Sequence, residues 1–440
     1  MKVGFLLSSF LPYRIGGTEV YVYRLIRLLQ QANLTCFVLT SSNAAAESEY
    51  AYQGIRVINI PAAEGVRTER HDFLKRVIAT EQPDLFHVHE LISPDGFTIS
   101  DLDFISRSHV PIVTTLHVLR YSCFLQDLKY RGISDCDGIP ERLKCTICFL
   151  SRKNAGILSH PIASFSKYLF DKDYIIHSGS GKLNTLCNIY SILSDHMGTL
   201  DQIFEYSSSV VAVSKWYHHM LAEIKTSPKL TLIQTGMFAA IQANRKQTVD
   251  TIIFAYCGRL TPDKGIDILI DAFISMPSSH QVLKIYSDTE SETNPFVASC
   301  IDKTKSYANI LWCKPFPPED SKKVLDAIDV LVVPTRITEM SPLVIHEAKS
   351  SGIFIIASSN MGNVETLDNY TKSIIYQESK VESLARAIGQ ITTEMLAIDA
   401  DLDNDNAFYF DNTASQYKGL YERVLSQSSM TNRSHKSLSV

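Results

Sequence analysis

The chain has 440 residues, of which 45% are hydrophobic and 20% are charged, so it can bury a large core and is not a disordered chain. Its 42 basic and 47 acidic residues leave a formal net charge of −5, which argues against nucleic acid bound through bulk electrostatics. No stretch approaches the roughly 18 consecutive apolar residues of a membrane-spanning helix. We interpret the short apolar run at residues 3–11 as a buried strand rather than a signal peptide, and therefore expect a cytoplasmic protein whose cysteines are mostly reduced.

Apolar runs alternate with helical patterns over the first 240 residues, which predicts a parallel α/β sheet. Strands are expected at residues 2–7, 35–40, 56–60, 85–89, 112–116, 209–213 and 230–234. Gly16 and Gly17 form a turn after the first strand, directly before a helix. Residues 118 to about 157 break this rhythm and hold four cysteines, and a helix is expected again at residues 183–206.

A second α/β series follows the polar stretch of residues 242–250. Its strands are expected at residues 252–257, 281–286, 310–313, 329–334 and 353–357, and its helices at residues 265–273, 342–350 and 381 to about 396. A last amphipathic helix is predicted at residues 415–425, before a Ser-rich end that is typical of disorder. We therefore predict domains at residues 1–240 and 241–410, a further helix at residues 411–426 and a disordered tail at residues 427–440.

The most informative segment is residues 329–365, where a buried strand ends and a polar loop leads into a helix. Ser341 is expected as the N-cap of this helix and Pro342 at its first position. The amides that follow, near Leu343 and Val344, would then lack partners and could bind a phosphate with the help of the helix dipole.

Two glutamates flank the start of this helix, Glu339 in the loop and Glu347 eight residues later within the helix. Their spacing places one carboxylate near the sugar side of an anion and the other near a diol such as ribose, since a carboxylate accepts two hydroxyl hydrogen bonds well. Without further context, the same pattern is also typical of a solvated helix start with two incidental acidic residues.

This segment resembles the E-x7-E signature of the retaining glycosyltransferases of family four, which have the GT-B fold. A second match is Cys257-Gly258-Arg259-Leu260 followed by Asp263-Lys264-Gly265, since the family carries a G-R-L…K-G pattern after the first strand of its second domain. The resemblance covers nearly the whole chain, to about Leu425. It implies two Rossmann-like domains that face each other across a cleft. Residues 1–240, with a cysteine-bearing insertion at about 118–157, would bind the acceptor, residues 241–410 the nucleotide sugar, and the last helix would cross back to the first domain.

The resemblance also implies roles for the residues of the second domain. Arg259 and Lys264 would hold the diphosphate of a sugar nucleotide, which a guanidinium and an ammonium on one loop can neutralise without a metal or another cofactor. Glu339 would bind the sugar and Glu347 the ribose. The other donor-binding residues would be those at the helix start, Ser341, Pro342 and Leu343.

On the other side of the cleft, the resemblance places Gly16 and Gly17 near the donor phosphate or the acceptor, and His117 near the transferred sugar. Ligands gather outside the carboxyl ends of strands in open α/β sheets, so His117 should face the cleft. Outside this context, the glycine pair is only a tight turn and a lone strand-end histidine is more often structural. His87 and His89 share one strand face, where a pair that lines the cleft is favoured over a metal site.

The chain departs from the family pattern at two loops. Relatives commonly have Asn-Gly after the last strand of the first domain, where this chain has Thr235-Gly236. Many relatives have a Gly-Gly pair where this chain has Met361-Gly362-Asn363. Contact with the donor at the second loop is therefore expected to differ from that of the relatives.

Four cysteines, Cys123, Cys136, Cys145 and Cys148, have the spacing C-x12-C-x8-C-x2-C. The C-x2-C end is typical of a zinc knuckle and four thiolates suit tetrahedral zinc, although the first pair is widely spaced. Structural zinc, reduced unliganded thiols and disulfides are the three interpretations that the spacing leaves open. The remaining five cysteines lie in apolar contexts that are typical of core residues.

We predict that the protein transfers a sugar from a nucleotide-diphosphate donor to a glycan or lipid-linked acceptor with retention of configuration, in polysaccharide or lipopolysaccharide biosynthesis. The alternatives are a sugar-nucleotide epimerase or a phosphorylase of the same fold, or a non-catalytic partner in a glycan assembly complex. Peripheral contact with a membrane surface is predicted at the basic residues of one helix, Arg67, Arg70, Lys75 and Arg76.

Overall fold

The structure is a computed structural model that describes residues 1–42, 48–61, 67–91, 96–174, 181–236, 251–276, 280–287, 294–377, 379–397 and 410–437. Its strands form one large sheet in each half of the chain. Each sheet has a hydrophobic core on both of its faces, which is the arrangement that buried parallel strands require.

The strands of the first half are β1 (Lys2–Leu7), β2 (Thr35–Ser42), β3 (Ser48–Tyr52), β4 (Ile55–Pro61), β5 (Leu85–Val88), β6 (Ile112–Leu116), β7 (Lys129–Tyr130), β8 (Ser134–Asp135), β9 (Ser209–Ala212) and β10 (Leu230–Leu232). Eight of them form a sheet in the order β10-β9-β6-β5-β1-β2-β4-β3, in which only the edge pair β3–β4 is antiparallel. Strands β7 and β8 form a separate two-stranded ribbon. Side chains of β1 alternate between the two cores, with Phe5 on one face and Leu6 on the other.

Seven helices accompany this sheet in the described part of the first half: α1 (Gly17–Gln31), α2 (Arg67–Glu81), α3 (Ile99–Arg107), α4 (Arg142–Leu150), α5 (Ser159–Asp171), α6 (Gly181–Tyr206) and α7 (Lys215–Ile224). Helix α1 buries Tyr21, Leu25 and Leu29, which recur at the helical spacing and pack in the same core as Phe5. This burial fixes the start of α1 beside the end of β1, and so positions the Gly16-Gly17 turn at the carboxyl edge of the sheet.

The second half contains β11 (Ile252–Cys257), β12 (Gln281–Tyr286), β13 (Ile310–Cys313), β14 (Val330–Val333), β15 (Phe354–Ser358) and β16 (Ser373–Tyr376). These six strands form a sheet in the order β13-β12-β11-β14-β15-β16, with every pair parallel. Its helices are α8 (Ile266–Ile274), α9 (Pro295–Thr304), α10 (Ser321–Leu325), α11 (Leu343–Ser350), α12 (Met361–Thr366), α13 (Val381–Gly389) and α14 (Thr393–Ala397). The strand order reverses between β11 and β14, as in a dinucleotide-binding sheet, and the predicted α/β class with two Rossmann-like domains is confirmed.

The last helix, α15 (Phe410–Ser437), lies on the first sheet although it follows the second half in sequence. Tyr417, Leu420, Tyr421 and Val424 are buried in the same core as β1 and α1. The Tyr417 hydroxyl lies 3.1 Å from the Tyr21 hydroxyl, so the contact is polar as well as apolar. The chain therefore returns to its first half at its end.

The structure differs from the sequence prediction at several element boundaries. The helix predicted at residues 381–396 is divided into α13 and α14 after Gly389, because glycine weakens a helix interior and Thr392 Oγ1 accepts from the Met395 amide at the new start. Helix α15 continues to Ser437 through the predicted disordered tail, since no Gly or Pro interrupts it after Gly419. Strands β3 and β16 have no counterpart in the prediction.

The boundary predicted between residues 240 and 241 lies outside the described residues, and the division into domains stays a prediction. In the ranges that the structure describes, no helix combines the length and the apolar character needed to cross a membrane.

Candidate active site

Two loops of the second half meet where the strand order of its sheet reverses, which is where open α/β sheets bind ligands. The loop after β11 carries Gly258 and Arg259. Its backbone is fixed by Tyr256 Oη, which donates to the Arg259 carbonyl at 2.6 Å, and by Ser287 Oγ, which donates to the Gly258 carbonyl at 2.5 Å. The Arg259 side chain is exposed, and the described residues supply it with no ion pair. Its guanidinium is therefore available to an anion.

The loop after β14 brings Glu339 to Lys264 of the first loop. Lys264 Nζ lies 2.5 Å from Glu339 Oε1, and both side chains are partly buried. The two loops touch because Gly265 has no side chain: its φ is +70°, and a Cβ there would lie 1.9 Å from the Pro334 carbonyl oxygen. The structure thus brings together a predicted cation and a predicted carboxylate that are 75 residues apart in sequence.

Helix α11 begins one residue later than predicted, because its N-cap is Pro342 rather than Ser341. The Ser341 hydroxyl lies 2.8 Å from Nε2 of His346 instead, and burial lowers the pKa of His346 to about 3, so this imidazole is neutral. The first amide that donates back to Pro342 is that of Ile345, at 3.0 Å. The amides of Leu343 and Val344 precede it and have no partner within the helix, and their binding of an anion stays a prediction.

The backbone of Glu339 is held by the segment that departs from the family pattern. Asn360 Oδ1 accepts from the Glu339 amide at 3.4 Å and from the Asn363 amide at 3.1 Å. A Cβ on Gly362 would lie 1.8 Å from the Glu339 carbonyl oxygen, so only glycine fits there. Gly362 belongs to the predicted departure from the family pattern, whereas Asn360 was not predicted. The signal for Asn360 is its position as the N-cap of α12.

Glu347 is already paired with a cation from the first half of the chain. Arg24 Nη2 of α1 lies 2.5 Å from Glu347 Oε1, and both side chains are largely buried, at 17% and 13% exposed. The sequence analysis did not single out Arg24, because nothing in the pattern of α1 marks it. A second contact between the halves was also missed: the Glu365 carboxylate accepts from the amides of Lys215 and Trp216 at the start of α7, at 2.8 and 2.7 Å.

The turn after β1 approaches Arg259 from the first half. A Cβ on Gly16 would lie 2.5 Å from Glu19 Oε2, whereas nothing lies within 4 Å of one on Gly17. Glu19 is buried and its Oε1 lies 3.1 Å from Arg14 Nε. Burial raises the pKa of Glu19 to about 7, while the charges of Arg14 and Arg259 act in the opposite direction. The Glu19 carboxylate thus folds back over Gly16, and a side chain at this position would displace it.

Three histidines lie together at the carboxyl edge of the first sheet. His117 Nε2 lies 2.8 Å from His89 Nδ1, and burial lowers the pKa of His117 to about 3. His87 contacts the hydroxyls of Tyr421 at 2.6 Å and Thr115 at 2.7 Å, so it joins α15 to the sheet. His117 is therefore held as a neutral imidazole, and its described ring contacts are with the first half of the chain.

The four clustered cysteines lie on a separate segment that reaches the cleft through its backbone. All nine cysteines of the chain are free thiols in the structure, and no three His, Cys, Asp or Glu side chains of the described ranges stand as the ligands of a metal. The carbonyls of Gln126 and Asp127 accept from the amide and the hydroxyl of Thr338, at 3.1 and 3.4 Å. This segment therefore touches the loop that carries Glu339.

Two family models match the sequence of this chain. The model described as "Glycosyl transferases group 1" matches residues 238–400, and "Glycosyltransferase Family 4" matches residues 15–139. The lipopolysaccharide 1,2-N-acetylglucosaminetransferase of Salmonella typhimurium is 22% identical over 220 residues, which are 46% of this chain and 58% of that enzyme. The match therefore spans less than two thirds of that relative's length.

Solved structures share the fold over almost the whole chain. A sucrose-phosphate synthase from Thermosynechococcus elongatus has a TM-score of 0.67 at 15% identity, over 97% of this chain and 99% of its own. Anabaena HepE, in complex with UDP and glucose, has a TM-score of 0.61 at 14% identity, over 96% and 100%. WaaG, a glycosyltransferase involved in lipopolysaccharide biosynthesis, has a TM-score of 0.54 at 12% identity, over 97% and 99%.

Proposed function

The chain belongs to the group 1 glycosyltransferases of family four, which have the GT-B fold, and on that premise we propose that it transfers a sugar from a nucleoside diphosphate to a glycan or lipid-linked acceptor with retention of configuration. The observation that carries this proposal is the meeting of the loops of Arg259, Lys264 and Glu339 at the reversal of the second sheet, where the Arg259 guanidinium is exposed and has no ion pair with the residues that the structure describes. A site of this kind suits a diphosphate next to a polar sugar.

Departure of a nucleoside diphosphate develops negative charge on its phosphate oxygens. Arg259 and Lys264 stabilise that charge together with the amides of Leu343 and Val344, so no divalent cation is needed for this step. Lys264 is held by Glu339 before the donor arrives. When the donor binds, Lys264 turns to the phosphate and the Glu339 carboxylate accepts hydrogen bonds from sugar hydroxyls.

Glu347 binds the ribose in this proposal, and Arg24 orients it. The ion pair uses Glu347 Oε1, which leaves the other carboxylate oxygen to accept from a ribose hydroxyl. Arg24 belongs to the first half and Glu347 to the second. Donor binding at Glu347 therefore depends on whether the two halves are close together across the cleft. His117 lies on the acceptor side as a neutral hydrogen-bonding group, since an imidazole with a pKa of about 3 is not a general acid near pH 7.

The proposed acceptor is a lipopolysaccharide or polysaccharide intermediate. This follows the names of the Salmonella relative and of WaaG, both of which concern lipopolysaccharide. A sugar-nucleotide epimerase would release an epimer without an acceptor, a phosphorylase would release sugar 1-phosphate from a glycan and inorganic phosphate, and a non-catalytic partner would bind donor without turnover. Product analysis with and without acceptor separates these alternatives from a transferase.

The basic helix that the sequence indicated as a membrane surface is only partly accessible, since Lys75 and Arg76 are exposed but Arg70 is not. Arg70 of α2 is buried, where it donates to Asp101 Oδ1 at 3.1 Å and to Ser41 Oγ at 2.9 Å, so it is not available to lipid headgroups. A second surface lies at α5, where Phe165 and Tyr168 are 52% and 57% exposed one helical turn apart and Leu158, directly before the helix, is 58% exposed. Exposed lysines at 153 and 172 flank these side chains and would attract anionic lipids.

Sedimentation with vesicles tests that surface. The chain should bind vesicles that contain an anionic lipid, and replacing Phe165 and Tyr168 together by Ser should reduce binding at least tenfold without lowering the melting temperature. Equal binding by both proteins would remove this part of the proposal and leave the transferase activity untouched.

Calorimetry with free nucleoside diphosphate and with intact sugar nucleotide tests the donor site. A donor is first selected by thermal shift, since a ligand at 100 times its Kd adds about 2.7 kcal/mol to the stability. Glu347→Gln should weaken both ligands alike, because both contain the ribose. Glu339→Gln should spare the free nucleotide and weaken only the sugar nucleotide, by roughly 1.5–3 kcal/mol.

Glu382→Gln, at an exposed site on α13, is the matched control. If Glu339→Gln weakens the free nucleotide as much as the donor, the assignment of the two glutamates is wrong.

A further inference from the structure

The four clustered cysteines line one small cavity of the first half. The cavity has a volume of about 40 Å³ and is also lined by Lys129 and Lys144 and by the rings of Phe124, Tyr130 and Phe149. Its volume exceeds the roughly 10–15 Å³ that one water-sized sphere needs, which suits an ion better than a sugar. No carboxylate or imidazole lines it. The side chains that can ligate a metal there are therefore the sulfurs of Cys123, Cys136, Cys145 and Cys148.

Backbone amides point at two of these sulfurs. The Arg131 amide donates to Cys148 Sγ at 3.1 Å, and the Gly138 amide donates to the Cys136 sulfur. Gly138 has a φ of +77°, and a Cβ there would lie 2.2 Å from Met220 Sδ, so the turn after Cys136 requires glycine. Amide donors of this kind orient thiolate ligands and offset their charge.

The ribbon within the segment that holds these cysteines has little structure of its own, whereas α4 packs in a hydrophobic cluster with α5 and α6. Strands β7 and β8 have two residues each, and an isolated ribbon of that size is not stable in water. Cys145 and Cys148 share one face of α4, since they are three residues apart, while Cys123 packs against the main core of the first half. A crosslink at the cavity would connect the β7–β8 ribbon, α4 and the main core of the first half.

We propose that Cys123, Cys136, Cys145 and Cys148 bind one structural zinc ion. Four soft thiolates and no oxygen ligand select tetrahedral zinc over calcium or magnesium. Because no three of these thiols stand as the ligands of a metal in the described ranges, binding requires the side chains to turn inward and to lose their protons. The two lysines that line the cavity offset part of the negative charge of a tetrathiolate site.

The zinc site also supports the donor site. Gln126 and Asp127, between Cys123 and the ribbon, hold Thr338 through their carbonyls at 3.1 and 3.4 Å, and Thr338 directly precedes Glu339. Asp127 is further fixed by Arg152, whose Nη1 lies 2.8 Å from its Oδ2. Loss of zinc would release this segment and with it the Glu339 loop. This coupling rests on the proposed function, whereas the presence of zinc does not.

Metal analysis of the purified full-length chain tests the proposal. We expect about one zinc per chain, with loss of zinc in Cys145→Ser and Cys148→Ser and retention in Cys313→Ser, whose thiol lies in the second half. Wild-type protein loaded with Co²⁺ should show thiolate charge-transfer absorbance and the visible bands of tetrahedral cobalt, a readout that does not depend on whether a variant folds. No zinc or cobalt in the folded wild type, or disulfides among these four cysteines in the protein as purified, would overturn the proposal.

Donor affinity separates the metal from the transferase assignment. If zinc supports the Glu339 loop, Cys145→Ser should weaken sugar-nucleotide binding about tenfold or more, and Thr338→Val should weaken it less. If the wild type holds zinc and Cys145→Ser loses it but keeps its donor affinity, the coupling is absent and the metal site stands. Zinc bound in a chain that binds no sugar nucleotide would contradict the proposed function alone.

Discussion

The donor side and the histidine side of the cleft are built in opposite ways. On the donor side, Lys264 and Glu339 are partly exposed and charged, and they come from short loops of the same half of the chain. On the histidine side, His87 and His89 are buried and burial lowers their pKa values. His87 depends on Tyr421, which is 334 residues away.

The difference follows from what each side has to do. A diphosphate needs charges that stay hydrated until the ligand replaces the water, and short loops with glycines at their contact points can supply them. A neutral imidazole needs a dry and rigid environment, which only packing from several elements provides. We therefore predict that the histidine side is destabilised by changes far away in sequence. The donor side should be destabilised by changes within its own loops.

The largest effect is expected from removing α15. Truncation before Ser415 removes four buried side chains, Tyr417, Leu420, Tyr421 and Val424, which together stabilise the first half by roughly 6 kcal/mol or more. We expect the first half to unfold and calorimetric binding of donor to be lost. Truncation after Gln427 keeps all four and should leave the melting temperature unchanged. Equal behaviour of the two truncated chains would mean that α15 does not hold the first sheet.

A local change on the donor side should come next in size. Gly265→Ala places a Cβ 1.9 Å from the Pro334 carbonyl oxygen at a φ of +70°, and we expect it to cost about 3–4 kcal/mol from overpacking and backbone strain combined. Gly198→Ala, within α6 and with nothing within 4 Å, is the control and should be neutral or stabilising. Denaturant unfolding of both variants measures the difference. A loss of less than about 0.5 kcal/mol in Gly265→Ala would show that the two donor loops adapt.

The pH dependence of stability tests the buried carboxyl between the two sides. Glu19 has a pKa raised from 4.5 to about 7 in the folded chain, so between these values the native state holds a proton that the unfolded chain has lost. The free energy of unfolding therefore falls as the pH rises through this window, by up to about 3 kcal/mol, and levels off above it. Glu19→Gln should remove this slope, measured as the difference between the two proteins. Parallel curves for both would contradict the burial of Glu19 as a protonated group.

A smaller effect is expected from a single hydroxyl on the histidine side. Tyr421→Phe removes the partner 2.6 Å from His87 Nδ1 and leaves a buried imidazole nitrogen unpaired, which should cost about 1–3 kcal/mol. Tyr13→Phe, at a side chain that is 76% exposed, should change nothing. If Tyr421→Phe also leaves the stability unchanged, the link between α15 and the sheet is apolar only.

The smallest effect is expected from divalent cations at the donor site. Because Arg259 and Lys264 neutralise the diphosphate in our proposal, added Mg²⁺ or brief chelation should leave the donor Kd within about twofold. The zinc content of the chain is measured in the same samples, so that loss of the structural ion is not mistaken for loss of a catalytic one. A large and reversible loss of affinity at constant zinc content would assign the neutralisation to a metal.

Much of the fold could be predicted from the sequence. Strands at residues 2–7, 112–116, 252–257, 281–286 and 310–313 have the predicted bounds. Those at residues 2–7, 112–116 and 252–257 are largely buried, and a buried parallel strand requires an unbroken apolar run. The edge strands β3 and β16, which are short and only partly buried, were missed. The pairing of α15 with the first half followed from the family resemblance, and its length did not.

The sequence also determined the donor loops, because their chemistry lies in short motifs whose charges and glycines are adjacent to the strands that position them. Only the tertiary structure decided what those charges touch. Arg24 reaches Glu347, Gln126 reaches Thr338 and Tyr421 reaches His87 across distances in sequence that no local pattern spans. Such contacts depend on how whole elements pack, and packing is set by the summed burial of many side chains rather than by any one motif.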